Sequence, residues 1–273
     1  MMVRCLKLLL GTGVWLWDVT RSLVTRLLGK TPPGRAVVLY YHGVPDASLP
    51  GFTAQMNALV QKAKPLAAGW QGDLRPGNLF AAVTFDDAFV SVLHNAIPVL
   101  EKRGIPATIF VPTGYLGTFA GWIKDPVYRE SRGKIMDRNE LLSALRHPNV
   151  TVGSHTISHP RLDSLGEAEL ARELVESKRQ LEDAVGDAVS LFSLPHGIYS
   201  LKALEVARAA GYSRVFGIQP TCAHHELNSF FMGRVMVTPE DWPLEFKLKL
   251  QGAYRWFARN GSDLRKQAPS EKI

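Results

Sequence analysis

Continuous apolar runs alternate along this chain with longer stretches in which apolar residues recur every three or four positions. The short runs predict buried strands, and the helical spacing predicts amphipathic helices between them. The predicted strands are 35–41, 79–85, 107–111, 150–152, 191–194 and 214–218, and the predicted helices are 52–67, 90–103, 139–145, 167–185 and 202–210. This alternation is typical of a parallel sheet. A span of about 200 residues favours an α/β fold built as an irregular (β/α) barrel with fewer than eight strands.

The amino-terminal segment has an apolar pattern of its own. Its apolar run, 6–17, is shorter than the roughly 20 residues that a membrane-spanning helix needs, and Asp18 and Arg21 follow it. Arg4 and Lys7 stand ahead of most of these apolar residues as in a signal peptide, but no cleavage site with small residues follows, so cleaved secretion is disfavoured. The helical spacing continues to residue 28, which leaves two alternatives: a helix in a membrane interface or a helix packed on the domain.

A Thr-Pro-Pro-Gly sequence at 31–34 marks the start of the globular part. We therefore divide the chain into an amphipathic or membrane-proximal helix at 1–34, a main domain at 35–245 and a basic tail at 246–273. Neither Cys5 nor Cys222 supports a disulfide framework or a cysteine metal site.

The formal net charge of +7 indicates an anionic partner only weakly, because the basic residues are spread along the chain and do not alternate with aromatic residues. A nucleic-acid partner is therefore not expected. A local basic excess stands at both ends of the chain, at Arg4, Lys7, Arg21, Arg26, Lys30, Arg255, Arg259, Arg265 and Lys266. It suits an anionic membrane surface, and the alternative is a solvated basic face. The location expected is peripheral to a membrane or cytoplasmic, and the oligomeric state stays open.

Polar residues with metal-binding chemistry follow four predicted strands. His42 follows the first, the pair Asp86 and Asp87 the second, His155 and His159 the fourth, and His196 the fifth. In a (β/α) barrel these strand ends lie at one rim, which is where chemistry takes place. One carboxylate and two imidazoles suit a divalent metal with open positions for water or substrate, and a second carboxylate is then free to act as a base.

Each of these signals has a structural explanation when it is taken alone. Adjacent acidic residues after a strand often cap the amino terminus of a helix, and a single His-x-x-x-His spacing is a weak metal signal. Together, at matching strand ends, they are far more specific. The combination predicts metal-assisted hydrolysis.

Three segments carry a family resemblance: 84–87 (Thr-Phe-Asp-Asp), 155–160 (His-Thr-Ile-Ser-His-Pro) and 192–197 (Phe-Ser-Leu-Pro-His-Gly). They resemble, in order, the first, second and a divergent third motif of the polysaccharide deacetylases, the NodB-homology fold of carbohydrate esterase family 4. The resemblance covers about residues 36–238.

The resemblance implies specific roles. Asp87, His155 and His159 would hold the metal, usually zinc in this family, with cobalt or nickel as alternatives. Asp86 would be the general base, and the backbone N–H of His196 would donate to the oxyanion. The implied substrate is an N-acetylated glycan or a lipid-linked sugar, from which the enzyme removes acetyl groups.

The sequence departs from the family pattern at four places. Ala88 replaces a common glycine, from which we expect that this position does not need a positive φ. Ser193 replaces an arginine that orients the base in many members, and His196 replaces a common tyrosine. The last motif, which supplies the general acid, has no clean counterpart, so the candidates for the acid are His42 and His196, and we prefer His42.

Two other functions stay open. The same fold can hydrolyse a different non-peptide C–N bond, such as that of a cyclic imide, and a chain without the acid and the arginine can be a catalytically impaired glycan-binding protein. The segment 114–138 is long enough to predict a rim loop over the site. Four aromatic residues are predicted to line a sugar subsite or to pack within loops: Tyr115, Phe119, Trp122 and Trp242.

Overall fold

Six parallel strands of three or more residues surround an apolar interior in the computed structural model of this chain, which describes residues 2–198 and 200–258. The strands are β1 (Arg35–Tyr41), β2 (Lys64–Pro65), β3 (Leu79–Phe85), β4 (Ala107–Val111), β5 (Val150–Ser154), β6 (Leu191–Ser193), β7 (Arg214–Phe216), β8 (Ala223–His224), β9 (Phe231–Met232) and β10 (Val235–Met236). The main path of the sheet runs β10-β1-β3-β4-β5-β6-β7-β9, and every neighbouring pair on it is parallel. Two short strands lie off this path: β2 pairs with β3, and β8 pairs antiparallel with β1.

Helices connect the strands and cover the outside of the sheet. They are α1 (Met2–Leu27), α2 (Leu49–Lys62), α3 (Ile97–Glu101), α4 (Pro126–Arg132), α5 (Arg138–Leu145), α6 (Glu167–Val185), α7 (Leu201–Ala209) and α8 (Pro243–Leu250). Local sequence sets several boundaries. At the start of α5, Asp137 and Glu140 form a reciprocal capping box with two 2.8 Å hydrogen bonds, and at the end of α6 Gly186 adopts a φ of 76°.

The predicted irregular (β/α) barrel is confirmed, and the six longer strands are those that the apolar runs predict. One local prediction was wrong. The helix predicted at 52–67 ends at Lys62, because Lys64–Pro65 adds to β3 as β2. The segment 114–138, predicted as a rim loop, contains the short helix α4, which Asp125 caps.

Helix α1 packs against the last described segments, α8 and residues 253–257, on the outside of the barrel. Helix α8 crosses residue 245, and residues 253–257 form a 3₁₀ turn that packs against α1, so residues 246–257 belong to the packed structure. Three of the basic residues assigned to a tail, Arg259, Arg265 and Lys266, lie outside the described residues.

Side chains of the strands alternate between two apolar layers. In β1, Ala36 and Val38 point into the barrel and pack in one cluster with Phe110 and Phe216, whereas alternate residues such as Leu39 pack outward under the helices. The interior is therefore filled, as in other small barrels. The carboxyl ends of the strands carry the polar residues.

Arg214, at the amino-terminal end of β7, is fully buried and closes the opposite end of the barrel. Its guanidinium donates to four backbone carbonyls, those of Ala68 (2.6 Å), Trp70 (2.7 Å), Leu227 (2.6 Å) and Ser229 (3.3 Å). Buried carbonyl oxygens need such donors, so this side chain joins two loop segments, 68–70 and 227–229, that are remote in sequence.

We expect Arg214→Met to lower the free energy of unfolding by about 2 kcal/mol or more, because several buried carbonyls lose their donors. Chemical denaturation measures the loss. The matched control is Arg172→Met, which removes the same charge from an exposed position of α6 and should leave stability almost unchanged. Equal stability of the two variants would contradict this structural role for Arg214.

Candidate active site

The carboxyl ends of β3 and β5 bring one acidic and two imidazole side chains into a single buried group. Asp87 follows β3, and His155 and His159 follow β5. The Asp87 Oδ1 atom lies 3.5 Å from Nε2 of His155 and 3.5 Å from Nε2 of His159. All three side chains are buried, and their candidate ligand atoms lie within 4.8 Å of one another. The structure thus groups the three residues for which a metal-binding role is predicted.

Hydrogen bonds fix the orientation of these ligand candidates. Nδ1 of His155 donates to the Ser193 carbonyl at 2.8 Å, which turns its Nε2 toward Asp87. Asp87 Oδ1 is buried and has no hydrogen-bond partner among residues 2–198 and 200–258. A buried carboxylate oxygen without a donor is costly, whereas a cation between it and the imidazoles would satisfy it. The oxygen and nitrogen donors present suit zinc, cobalt or nickel.

The pKa values of His159 and His155 show which charge the pocket favours. Burial, helped by the nearby His155, lowers the pKa of His159 to about 3, so its imidazole is neutral and suited to coordination. For His155, burial alone would lower the pKa, but the adjacent carboxylates of Asp87 and Asp86 raise it. The two carboxylates therefore make the pocket favourable to positive charge.

A carboxylate of α6 holds the turn between the two histidines. The Glu173 side chain accepts from the backbone N–H groups of Ile157 (2.8 Å) and Ser158 (3.0 Å) and from the Ser158 hydroxyl (2.6 Å). Thr156 and His159 adopt φ values of 67° and 56° in this turn. Such conformations are strained for residues other than glycine, so Glu173 helps to stabilise a backbone that sequence spacing alone did not reveal.

Asp86 points into the barrel and forms a buried ion pair with Arg234, which precedes β10. Its Oδ1 accepts from Arg234 Nη1 at 2.7 Å, and its Oδ2 accepts from Arg234 Nη2 at 2.8 Å. The Ser193 hydroxyl accepts from Arg234 Nη2 at 2.7 Å and donates to Asp86 Oδ1 at 3.2 Å. The remaining Arg234 donors bind Thr84 Oγ1 (3.1 Å) and the Gly217 carbonyl (3.1 Å). All five guanidinium donors are thus used.

This ion pair controls the charge of Asp86. Burial alone would raise the pKa of this carboxyl, but the Arg234 guanidinium and, more weakly, His155 hold it well below its usual range. Asp86 is therefore a carboxylate throughout the physiological pH range. Within the described residues, Oδ2 accepts a single hydrogen bond, which leaves a lone pair for a further partner.

Arg234 is the functional residue that sequence reasoning missed. Ser193 occupies the place of the family's arginine, and the guanidinium reaches the same carboxylate from the other side of the barrel interior. The side chain of Arg234 is fully buried, among the rings of Tyr40, Phe110 and Phe216. An arginine next to an apolar strand segment was the available signal, because a fully buried charge needs a partner.

The expectation for Ala88 was wrong. This residue has a φ of 53° and is fully buried, directly after Asp87 with a φ of 71°. The turn that presents Asp87 therefore does need the left-handed region, and alanine adopts it at a cost of roughly 1–2 kcal/mol. Packing around the methyl group and the hydrogen bond from the Met136 N–H to the Ala88 carbonyl (2.9 Å) hold this conformation.

His42 and His196 approach the group from two directions. His42 follows β1 and lines a cleft of about 320 Å³ together with Asp87, Trp122 and Thr238. The ring of His196 lies 4.6 Å from the ring of His159 in an edge-on arrangement, and its backbone has a φ of 56°. Both residues thus border the site, and neither belongs to the group of three candidate ligands.

Of the four aromatic candidates, Trp122 is the one packed on the site. Its ring stacks on the His159 imidazole at 4.0 Å and 16°, and Tyr115 packs edge-on against it at 5.0 Å. Phe119 and Trp242 are both exposed. The Lys134 ammonium lies beside the Phe119 ring, and the Arg4 guanidinium lies 4.3 Å above the centre of the Trp242 ring. The rim segment after β4 therefore walls one side of the cleft and shields one imidazole from water.

This arrangement has the parts for metal-assisted hydrolysis. It combines a buried group of candidate metal ligands, a carboxylate held ionised beside it, a histidine that lines the cleft and an aromatic wall.

Known proteins share both the sequence pattern and the fold. The profile of the family described as polysaccharide deacetylase matches residues 75–215. The Bacillus subtilis (strain 168) protein YxkH, named as a polysaccharide deacetylase, is 26% identical over 167 residues, which are 61% of this chain and 54% of that protein. A poly-beta-1,6-N-acetyl-D-glucosamine N-deacetylase of Staphylococcus aureus (strain N315) is 23% identical over 158 residues, 58% of this chain and 54% of that protein.

Solved structures have the same fold. IcaB from Ammonifex degensii superposes with a TM-score of 0.65 at 24% identity, over 80% of this chain and 98% of that one. The Streptococcus pyogenes deacetylase PplD, determined with acetate, gives a TM-score of 0.63 at 17% identity over 81% and 99%. The matches span about half the length of the curated relatives. Because the family profile covers more than half of the chain and includes both the Asp86-Asp87 and the His155-to-His159 motifs, this chain belongs to the polysaccharide deacetylase family.

Proposed function

We propose that this protein is a metal-dependent hydrolase that removes N-acetyl groups from a saccharide. The observation that carries the proposal is the convergence of Asp87 Oδ1 and the Nε2 atoms of His155 and His159 beside the ionised Asp86. The names of the relatives support the substrate class, since one of them acts on an N-acetylglucosamine polymer.

A divalent ion held by Asp87, His155 and His159 would supply positive charge that polarises the acetamide carbonyl and acidifies water. Asp86 accepts the proton of the attacking water through the lone pair left on Oδ2. Arg234 keeps Asp86 in one orientation and ionised before the reaction begins. Trp122 and the cleft walls limit access of other water molecules.

Two further groups complete the reaction. The backbone N–H of His196 donates to the oxyanion that forms when water oxygen adds to the carbonyl carbon. His42 donates a proton to the amide nitrogen as the C–N bond breaks, so that a free amine and acetate leave. We assign the acid role to His42 because it lines the cleft with Asp87. It also directly follows β1, which pairs with β10, where the last family motif would stand.

The surface beside the site is extended. A second cleft of about 620 Å³ shares Pro45 and Arg132 with the first one. Such a surface suits a saccharide of more than one unit better than a small cyclic imide. The ion pair between Arg234 and Asp86 also speaks against the hypothesis of a catalytically impaired protein, because Asp86, the proposed base, has an arginine partner.

The first prediction from this proposed function concerns the metal. We expect the wild-type protein to bind one zinc ion per chain and Asp87→Asn to bind it at least about 100-fold more weakly, because one ligand oxygen becomes a neutral amide. Asparagine tolerates the positive φ at this position, so the backbone should be kept. Calorimetric titration and metal content after dialysis measure the effect, together with acetate release.

The matched control is Asp183→Asn, at an exposed position of α6, which should bind zinc as the wild type does. Full zinc occupancy in Asp87→Asn would contradict the assignment of this carboxylate as a ligand.

The second prediction concerns the ion pair. We expect Arg234→Met to lower the free energy of unfolding by about 3 kcal/mol, because it leaves the Asp86 carboxylate buried without its partner. Adding Asp86→Asn should restore part of that stability, since the buried charge is then gone. Denaturation of the wild type, both single variants and the double variant gives the coupling energy. Independent, additive effects would show that the pair does not stabilise the protein as described.

The third prediction concerns the general acid. We expect His42→Gln to lower kcat for an N-acetylated sugar about 100-fold, because the amine leaves unprotonated only with difficulty. Hydrolysis of an aryl acetate should fall far less, because a phenolate leaves without a proton. Bound zinc should be unchanged, and His147→Gln, whose side chain pairs with Glu101, serves as the control. If His196→Asn shows this pattern and His42→Gln does not, the acid is His196.

A further inference from the structure

Helix α1 carries an exposed apolar face that no described residue covers. Large apolar side chains on this face are more than 45% exposed, among them Leu9 (71%), Leu16 (52%), Trp17 (67%), Leu23 (56%), Val24 (49%) and Leu27 (77%). At roughly 100° per residue, they share one side of the helix. No charged residue interrupts that side. A contiguous apolar surface of this kind marks a contact with a partner or a membrane.

The opposite side of α1 is fixed to the barrel. Gly11 is buried so close to Tyr254 that an added Cβ would lie 3.1 Å from the ring. Asp18 accepts two hydrogen bonds from Arg255, at 2.6 and 2.7 Å, and Arg4 donates to Glu245 at 2.7 Å. The helix is therefore held with its apolar face outward, and folding over onto its own domain would break these contacts.

Charge identifies the occupant. Asp18 is the one acidic residue of α1, and it is turned inward against Arg255 and Arg35. Arg21 and Arg26 are exposed and flank the apolar face on its two sides. A second copy of the chain packed face to face would bring these cations toward one another, whereas an anionic lipid surface would attract them.

We propose that the outward face of α1 binds an anionic lipid bilayer, with the helix lying in the plane of the surface. Leucine side chains would enter the interface, Trp17 would sit among the headgroups, and the flanking arginines would meet lipid phosphates. Among the described residues, no helix combines the length and the apolar character needed to cross a membrane.

The position of α1 bears on the kind of substrate that the cleft meets. This consequence rests on the proposed function. Arg4 donates to the Glu240 carbonyl at 3.1 Å, and Glu240 lines the cleft with His42 and Asp87. The amino-terminal end of α1 thus contacts the rim of the cleft. A membrane-bound protein would hold that rim beside the lipid surface, where it meets N-acetylated saccharides that are linked to lipid.

Flotation of the 273-residue chain with vesicles tests the lipid contact without using catalysis. We expect binding to vesicles of phosphatidylcholine mixed with phosphatidylglycerol, and at least tenfold weaker binding for Leu9→Gln/Leu16→Gln/Leu23→Gln. Arg21→Gln/Arg26→Gln should bind anionic vesicles at least tenfold more weakly as well. The control Val60→Gln/Val175→Gln, which changes exposed apolar side chains on α2 and α6, should bind as the wild type does.

Brominated lipid should quench tryptophan fluorescence in the wild type and much less in Trp17→Phe. Failure of the wild type to bind anionic vesicles, or equal binding by the triple leucine variant, would overturn the proposal. A wild-type dimer that dissociates in the triple variant, without vesicle binding, would instead identify a second copy as the occupant.

The substrate consequence has a separate readout. The triple leucine variant should deacetylate a soluble N-acetylated saccharide at the wild-type rate and a vesicle-bound, lipid-linked one at least tenfold more slowly. If the triple leucine variant matches the wild-type rate on the lipid-linked saccharide as well, the consequence for the substrate is overturned. The proposal that α1 binds vesicles is not affected by that result. Absence of any deacetylation by the wild type would contradict the proposed function and not the lipid contact.

Discussion

The buried pair of Arg234 and Asp86 is the interaction on which the site depends. Two parallel hydrogen bonds of 2.7 and 2.8 Å join a guanidinium and a carboxylate that are both buried within the barrel. Either charge alone would be very unfavourable there. Together they allow an ionised carboxylate to stand directly beside a pocket that favours a cation. The small side chain of Ser193 leaves room for this arrangement and adds a hydrogen bond to each partner.

Backbone strain is concentrated at the same rim. Asp87, Ala88, Thr156, His159 and His196 all have positive φ values, although none is glycine. Residues in this region persist only where the surrounding structure stabilises them. Here Glu173 holds the turn between the two histidines, and packing around the buried methyl group holds Ala88. Two of the three candidate ligands, Asp87 and His159, stand at these strained positions, whereas the hydrogen bond to the Ser193 carbonyl orients His155. The strain also explains why a rigid barrel below the site matters: the apolar interior and Arg214 hold the strands that bear these turns.

The exterior of the molecule has two distinct regions, the cleft and the outward face of α1. The carboxyl ends of the strands form the cleft, and α1 forms an outward apolar side whose amino-terminal end contacts the rim of that cleft through Arg4. The candidate active site and the proposed lipid contact are thus separate surfaces joined by one set of contacts. Changes to the outward leucines can therefore be made without altering the site.

Local patterns along the chain suffice to predict the longer strands, most helices and the polar residues at each strand end, because apolar periodicity and capping signals are local. They also indicate the family, since each of the Asp86-Asp87 and His155-to-His159 motifs is a short continuous segment. Contacts between distant segments specify the other features. The partnership of Arg234 with Asp86 joins residues 148 positions apart, and no local pattern specifies which strands face each other across a barrel interior. The positive φ of Ala88 and the docking of residues 253–257 on α1 likewise follow from packing that only the folded chain creates.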